Sequence, residues 1–265
     1  MKSFKAHIQF ALRFVKVKLA YRASFWIDFI FDSLFVFMQV YVWRALLHAG
    51  AVDGVTLPQM TTYVALSKGI RALTRTSAEL VIEERLESGN ICFDLVRPLS
   101  FRRQMALSDA GRCVTELMFH AIPAFFLVAV VFGVTPPASF EGSIIFTALL
   151  ILGVVVSYYI RYIVGLLSFF FIKASSLSWV FGTIEGFLSG GLVPLWFYPD
   201  WLVRIAMATP FRFIYFTPIS VYLGKTTGSD LRSELLMYGV WIVLLVAIES
   251  FLWRSAIRRL VVQGG

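Results

Sequence analysis

The chain has 265 residues, of which 58% are hydrophobic and only 15% are charged. Soluble domains average about 45–50% apolar and about 25% charged residues, so this composition excludes an ordinary soluble domain. It also excludes a disordered or fibrous chain, because 26 Phe and 7 Trp are the reverse of a disordered composition. We therefore expect an all-α integral membrane protein, with room for about six spans in a single domain.

The charge of the chain is +8, which fits cytoplasmic loops beside anionic lipid better than a nucleic-acid partner. Residues 1–22 hold six basic side chains and no small-residue cleavage site. This pattern predicts a retained cytoplasmic segment and not a signal peptide. Cys92 and Cys113 are too few for a disulfide framework or a metal site.

Long runs that are poor in charge predict six spans. The second is retained although four charged residues interrupt it, because such residues can face a partner helix or a cavity. If the N-terminus is inside, 15 Lys and Arg residues outside the spans lie on the cytoplasmic side and 5 on the other. The bias predicts that both termini are cytoplasmic. The predicted spans, all in one domain of residues 1–265, are 24–47, 58–80, 113–134, 142–172, 176–195 and 235–253.

Two connections between the spans are unusual. Residues 81–112 form an amphipathic segment on the cytoplasmic side. Residues 196–230 lie outside but are too apolar for a solvated loop, and Pro199, Pro210 and Pro218 cut them into pieces too short to cross a membrane. We expect an extracellular re-entrant or interfacial helical hairpin after the fifth span.

The sequence contains no recognisable catalytic motif. It lacks the GxxxxGK[ST] loop that binds nucleotide phosphates, the HExxH zinc motif and the GxSxG nucleophile motif. Its three histidines, His7, His48 and His120, fall in separate segments. We predict no catalytic residue and no metal site, and therefore that the chain is not an enzyme.

Charged side chains form stripes on two predicted spans. Asp28, Asp32 and Gln39 share one face of the first, and the charges of the second recur at helical spacing. Because charges are costly in hydrocarbon, the stripes should face each other or a wet cavity, with Asp28 level with Arg75 and Asp32 level with Arg71. Structural ion pairing is favoured over a substrate-lining or gating surface, and both stay open. The candidate residues for these two roles are Asp28, Asp32, Gln39, Lys68, Arg71, Arg75, Glu79, Arg161 and Glu185.

Arg161 and Glu185 lie at similar depth in the fourth and fifth spans, so we expect a structural pair between them. The fifth span also holds Gly182, Gly186 and Gly190, two overlapping GxxxG patterns. Small residues at this spacing let membrane helices approach closely. The pattern predicts a packing seam, either within the chain or between subunits.

The cytoplasmic segment holds a short helix of its own. Gly89-Asn90 interrupts the helix that continues from the second span, and Pro98 limits the next one. Ile91, Leu95 and Leu99 follow helical spacing in this piece. The residues alone favour lipid headgroups and a cytoplasmic protein partner equally.

Four stretches together resemble one family. Gly89-Asn-Ile-(x)3-Leu95-x-Arg97-Pro98-Leu99-Ser100 is similar to the signature of the small permease subunits of type-two ABC exporters, and most similar to the subfamily formerly catalogued as a domain of unknown function. The segments 190–201 and 210–224, and the ending Ile257-Arg-Arg-Leu with Gly264-Gly265, resemble the same family. The strongly charged second span departs from it.

The resemblance implies a six-helix permease in the inner (cytoplasmic) membrane of a bacterium, which pairs with a second permease subunit, identical or a similar paralogue. It implies an ABC ATPase dimer as the partner that binds ATP and Mg, with no cofactor on this chain. Residues Phe4–Leu19 would form an amphipathic connecting helix on the inner leaflet. The implied coupling helix, which the ATPase grips, comprises Gly89, Asn90, Ile91, Asp94, Leu95, Arg97, Pro98 and Leu99.

This resemblance favours an exporter subunit that moves a substrate out of the cytoplasm. The alternatives are an integral-membrane enzyme and a structural membrane protein without energy coupling. For the exporter, bulky or opposite-charge residues at Asp94 and Leu95 are expected to uncouple ATP turnover from transport while the fold stays intact.

Overall fold

The computed structural model of the chain describes residues 22–50, 54–76, 78–96, 100–171, 174–226 and 229–259. For residues 22–26, 28, 174–176 and 229–230 it describes the backbone alone. The connecting helix expected at Phe4–Leu19 lies outside the described residues. Within them the chain is helical, without strands, which confirms the all-α class.

Ten α-helices occur in the described ranges, and short 3-10 turns at Leu195–Phe197 and Pro210–Phe213 join some of them. The helices are α1 Arg22–His48, α2 Leu57–Thr74, α3 Ala78–Glu87, α4 Ile91–Val96, α5 Phe101–Phe132, α6 Phe140–Leu166, α7 Ala174–Leu188, α8 Asp200–Met207, α9 Phe216–Tyr222 and α10 Ser229–Arg258.

Four of these helices are long and apolar enough to cross a membrane, and they coincide with the first, third, fourth and sixth predicted spans. The second predicted span is divided between α2 and α3. The fifth corresponds to α7, whose 15 residues reach only about 22 Å, short of a hydrocarbon core of about 30 Å. The count of six spans therefore stays a prediction.

Helix α2 ends at Thr74 because side chains from other helices take its last carbonyl groups. Arg112 donates to the Leu73 carbonyl oxygen at 3.2 Å, and Cys113 donates to the same oxygen at 3.1 Å. The Ser157 hydroxyl donates to the Thr74 carbonyl at 3.4 Å. These contacts satisfy the open end of the helix, so the chain can change direction before α3 begins.

Helix α5 begins at Phe101, well before the predicted start at residue 113, and includes a π-helical turn at Leu117–Ala121. Pro123 follows this turn and has no backbone N–H, so the regular hydrogen-bond ladder cannot continue through it. A wider turn is a common adjustment at such a point.

The predicted loop 81–112 is mostly helical, because α3, α4 and the start of α5 fall within it.

Helix α6 lies at the centre of the fold and packs against α3, α9 and α10. Two of its glycines allow neighbouring segments to approach its backbone closely. A Cβ atom on Gly153 would lie 2.8 Å from the Phe213 carbonyl oxygen, and one on Gly165 would lie 2.9 Å from the Glu79 Cα. At both glycines the neighbouring backbone lies closer than a Cβ atom would allow, so α6 sets the positions of its neighbours.

The predicted hairpin after the fifth span is a set of short helices. Pro199 precedes α8 and Pro210 opens a 3-10 turn, as expected of helix-limiting prolines. Pro218 does not cut the chain: it lies inside α9, in the first turn, where the missing N–H has no partner to lose. Phe213 and Ile219 are fully buried against α6, so this segment is part of the core.

An ion pair fastens this hairpin to the last helix. Arg212 is 6% exposed, and its Nη1 lies 2.6 Å from the Glu234 Oε1 of α10. A second contact of the hairpin involves Lys225, whose Nζ lies 4.2 Å above the Trp196 ring and donates to the Gly54 carbonyl at 3.4 Å. Burial lowers the pKa of Lys225 from its ordinary value.

The glycines predicted as a packing seam do not form one with another helix in the described part of the chain. Gly190 lies beyond the end of α7 with a φ of +77°, which favours glycine, and closes a turn against Tyr63. Gly182 and Gly186 face side chains only: a Cβ there would lie 3.6 Å from the Arg161 guanidinium or 3.4 Å from Leu192. The seam between subunits stays a prediction.

Candidate functional site

A cavity of about 600 Å³ lies among α1, α2, α5 and α7, with α6 contributing to its wall. Its lining is unusually charged for the interior of a membrane protein. Six of the nine residues predicted for ion pairs or a path line it. The acidic, basic and histidine residues of the lining, including those six, are Asp32, Lys68, Arg71, Arg75, Glu116, His120, Arg161 and Glu185.

Arg161 joins two carboxylates in the wall of the cavity. Its Nη2 lies 2.7 Å from the Glu185 Oε2, the pair anticipated from their equal depth. Its Nη1 lies 3.3 Å from the Glu79 Oε1, on the first turns of α3. One guanidinium thus connects α3, α6 and α7. Both carboxylate side chains are only 7% exposed, so removing the cation would leave two buried charges close together.

Asp32 of α1 forms an ion pair with Lys68 of α2. The predicted partner was Arg71, three residues further along the same stripe, so the expected level is right to within one turn. The two helices are neighbours, as predicted, because Val36 and Val40 pack against Met60 and Val64. The side chain of Asp28 lies outside the described part of the chain, and Gln39 does not line the cavity.

Arg71 and Arg75 lie one helical turn apart, and both are exposed in the cavity. No carboxylate of the described side chains forms an ion pair with either of them. They differ in this respect from Lys68 and Arg161. The cavity therefore holds two guanidinium groups whose charge is not matched by a described ion pair.

Glu116 and His120 also line the cavity and were missed by reasoning from the sequence. The His120 Nε2 lies 3.7 Å from the Glu116 Oε2, across the start of the π-helical turn of α5. His120 was set aside because the three histidines lie far apart in sequence. The useful signal was the spacing of an acid and a histidine by four residues, at the edge of an otherwise uncharged span.

At the opposite end of α3, the residues predicted for coupling form α4 and the turn before it. Gly89 adopts a φ of +69°, which ends α3 and reverses the chain. The Asn90 side chain donates to the Ser88 hydroxyl at 2.9 Å. The predicted coupling residues Arg97, Pro98 and Leu99 lie outside the described ranges.

The faces of α4 differ sharply. Ile91 and Asp94 are buried against the rest of the protein, whereas Phe93 and Val96 are 72% and 85% exposed and Leu95 is half-buried. The Asp94 Oδ2 lies 3.3 Å from the Arg85 Nη1. Asp94 therefore holds α4 in place, and a substitution there would disturb the local fold. The burial of Asp94 and its ion pair argue against the expectation that its replacement leaves the fold intact.

The described residues contain no cluster of three His, Cys, Asp or Glu side chains that could hold a metal ion. Chemically, the cavity offers ion pairs and two guanidinium groups outside the described ion pairs, which can bind a charged solute. The short helix α4 offers an apolar surface to a protein.

The family model of the ABC-2 family transporter proteins matches residues 32–264 of the chain. No curated protein matches the chain. Helices long enough to cross a membrane and this match together define a multi-pass membrane protein of the transporter class. The chain belongs to the ABC-2 transporter family, which indicates a permease subunit of an ABC transporter.

Proposed function

We propose that the chain is the membrane-spanning subunit of an exporter that docks a separate ABC ATPase through α4. Nucleotide binding and hydrolysis, with ATP and Mg, take place on that partner. The charged cavity is the chain's share of the path by which a substrate leaves the cytoplasm. A second permease subunit, the same chain or a paralogue, completes the path.

The exposed surface of α4 is the observation that carries this proposal. A helix of six residues has little stability alone, yet Ile91 and Asp94 anchor this one. Anchoring leaves Phe93 and Val96 almost fully exposed, where water contact is unfavourable for both. A rigid support with exposed apolar side chains is the arrangement expected of a docking point for a protein partner.

Helix α3 connects this docking point mechanically to the cavity. Arg85 near its end pairs with Asp94 of α4, and Glu79 near its start pairs with Arg161. Ile82, between them, is fully buried against α6. A displacement of α4 by the ATPase would move α3 as a lever and change the contacts of Arg161 in the cavity.

The apolar surface of α1 supports the proposal of a second subunit. Phe31, Leu34 and Met38 are 69%, 60% and 54% exposed on the helix that forms one wall of the cavity. In the proposed dimer, part of this surface faces the partner, and the two cavities open towards each other. No observation favours the membrane-enzyme or structural alternatives.

The test places a photoreactive amino acid at Phe93 or Val96 in the full chain, expressed in membranes together with a candidate ABC ATPase from the same genome. Crosslinks from both positions to a protein with a nucleotide-binding GxxxxGK[ST] loop are expected. The matched control is Phe140, 84% exposed at the start of α6, which lies on the outer side in the proposed topology. Reaction at Phe140 but not at Phe93 would contradict the proposal.

A second measurement follows ATP turnover by the purified assembly. Phe93→Ala and Val96→Ala should reduce the association of the ATPase while leaving the thermal unfolding midpoint of the membrane subunit unchanged. Turnover and association unaffected by both changes would show that α4 is not the docking point.

A further inference from the structure

We propose that the cavity binds an anionic amphiphile, with its phosphate or carboxylate head on Arg71 and Arg75 and its apolar part along Phe35, Phe187 and Leu192. This inference rests on the proposed function when it names the transported class. The binding itself needs neither ATPase nor transport, so it can be tested separately.

The first argument is the pairing of charges in the cavity. Asp32 pairs with Lys68 and Glu185 with Arg161, whereas Glu116 lies beside His120. None of these three described carboxylates forms an ion pair with Arg71 or Arg75. The lining holds four Lys and Arg side chains against three carboxylates, so positive charge is in excess there, and an anion would neutralise it.

The second argument is the spacing of the two guanidinium groups. Like charges one turn apart on a helix repel each other, and the cost rises away from bulk water. Arg71 and Arg75 occupy this spacing on the cavity face of α2 and at its end. Two such groups can bind one phosphate or carboxylate through paired, charge-assisted hydrogen bonds. The arrangement is unfavourable when empty and favourable when an anion bridges it.

The third argument is the apolar wall of the same cavity. Phe35, Phe187 and Leu192 line it, and their side chains are 42%, 52% and 36% exposed. A free inorganic anion would leave these surfaces in contact with water, whereas an attached hydrocarbon chain would cover them. The volume of about 600 Å³ fits a headgroup with part of its chain, within the usual range of small-molecule sites.

The test uses the purified full chain in nanodiscs of zwitterionic phosphatidylcholine. The probe is dodecyl phosphate with a photoreactive diazirine in its tail. Light should attach the probe to peptides that contain Phe35, Phe187 or Leu192. Excess dodecyl phosphate should suppress this labelling, and dodecyltrimethylammonium, which has the same tail and a positive head, should not. Equal competition by the cationic compound would overturn the proposal.

Inorganic phosphate distinguishes the two possible sources of the anion. Little competition by inorganic phosphate supports an amphiphilic ligand, since the tail then contributes to binding. Competition as effective as that of dodecyl phosphate would overturn the amphiphilic part and leave a site for a free anion.

The variant Arg71→Gln with Arg75→Gln should weaken probe binding by about tenfold or more, because each lost charge-assisted contact is costly. The matched control is Arg254→Gln, an exposed arginine of α10 away from the cavity, for which binding should stay within about twofold. If the double variant does not fold, the competition experiments on the unchanged protein still decide. A folded double variant that binds the probe as tightly as the unchanged protein would overturn the proposal.

Discussion

The two sides of α6 show how differently one helix can be used. On one side it packs against α9 and α10, with Phe213, Ile214 and Ile219 fully buried and Gly153 in direct contact with backbone. On the other, Arg161 extends into a charged cavity and connects carboxylates of α3 and α7. Close packing holds the side that faces α9 and α10, and ion pairs hold the side that faces the cavity. A side that is held by charge can rearrange when a partner or solute alters the charges, whereas a close-packed side resists change.

The largest effect should follow from Arg161→Leu, which removes the cation between Glu79 and Glu185. Leaving a buried charge without its partner costs about 3–5 kcal/mol of unfolding free energy. We expect a much lower thermal unfolding midpoint in detergent micelles. Arg254→Leu, at an exposed position of α10, is the matched control and should change the midpoint little.

Removing the two carboxylates should reverse part of this loss. Adding Glu79→Gln and Glu185→Gln to the Arg161→Leu chain takes away the repulsion between the buried charges, and the midpoint should rise again. An Arg161→Leu protein as stable as the Arg254→Leu control would show that charge does not hold this side of α6.

The close-packed side is tested by Gly153→Ala. The new Cβ would lie 2.8 Å from the Phe213 carbonyl oxygen and 3.4 Å from the Ile214 Cα, so the turn at Pro210–Phe213 must move. Overpacking of this kind costs about 1–3 kcal/mol. The control is Gly239→Ala on α10, where a Cβ meets nothing within 4 Å and the better helix propensity of alanine should stabilise slightly. Equal unfolding midpoints for the two variants would contradict the close contact.

The sequence predicted charged features better than close packing. The stripe on the first span and the equal depth of Arg161 and Glu185 were visible as spacing, and the structure puts Asp32 beside Lys68 and Arg161 beside Glu185. Gly165 gave no signal, because its role depends on the position of α3. That position follows from the break after Thr74, which side chains distant in sequence create.

The glycine pattern of α7 did not reveal the local contacts of these glycines, for a related reason. GxxxG assumes a continuous helix, but α7 ends at Leu188, so Gly190 belongs to a turn. His120 was missed because a histidine was weighed only as a ligand and not with Glu116, four residues before it. Local spacing reveals what one helix presents, and it does not reveal where that helix ends or what packs against it.

A smaller effect is expected at α4, which one ion pair attaches to α3. Asp94→Ala removes the partner of Arg85 and should cost about 1 kcal/mol, because Arg85 is itself partly exposed. Faster backbone hydrogen exchange in residues 89–96 is the measurement. The control Phe93→Ala changes an exposed side chain and should leave exchange as it was. Unchanged exchange in the Asp94→Ala chain would mean that Ile91 alone anchors α4.

The smallest effect should come from the pair of Asp32 and Lys68, whose side chains are 38% and 17% exposed. Water screens such a pair, so we expect a coupling below about 1 kcal/mol. It can be isolated by a double-mutant cycle, with unfolding midpoints measured for Asp32→Asn, Lys68→Gln and both together. The two changes should be less than additive, because the second removes an interaction already lost. A second cycle combines Asp32→Asn with Arg71→Gln. These two changes should be additive, because Arg71 does not pair with Asp32 and stays available to a solute. Coupling of Asp32 to Arg71 and not to Lys68 would contradict the pairing, and would remove Arg71 from the charges available to an anion.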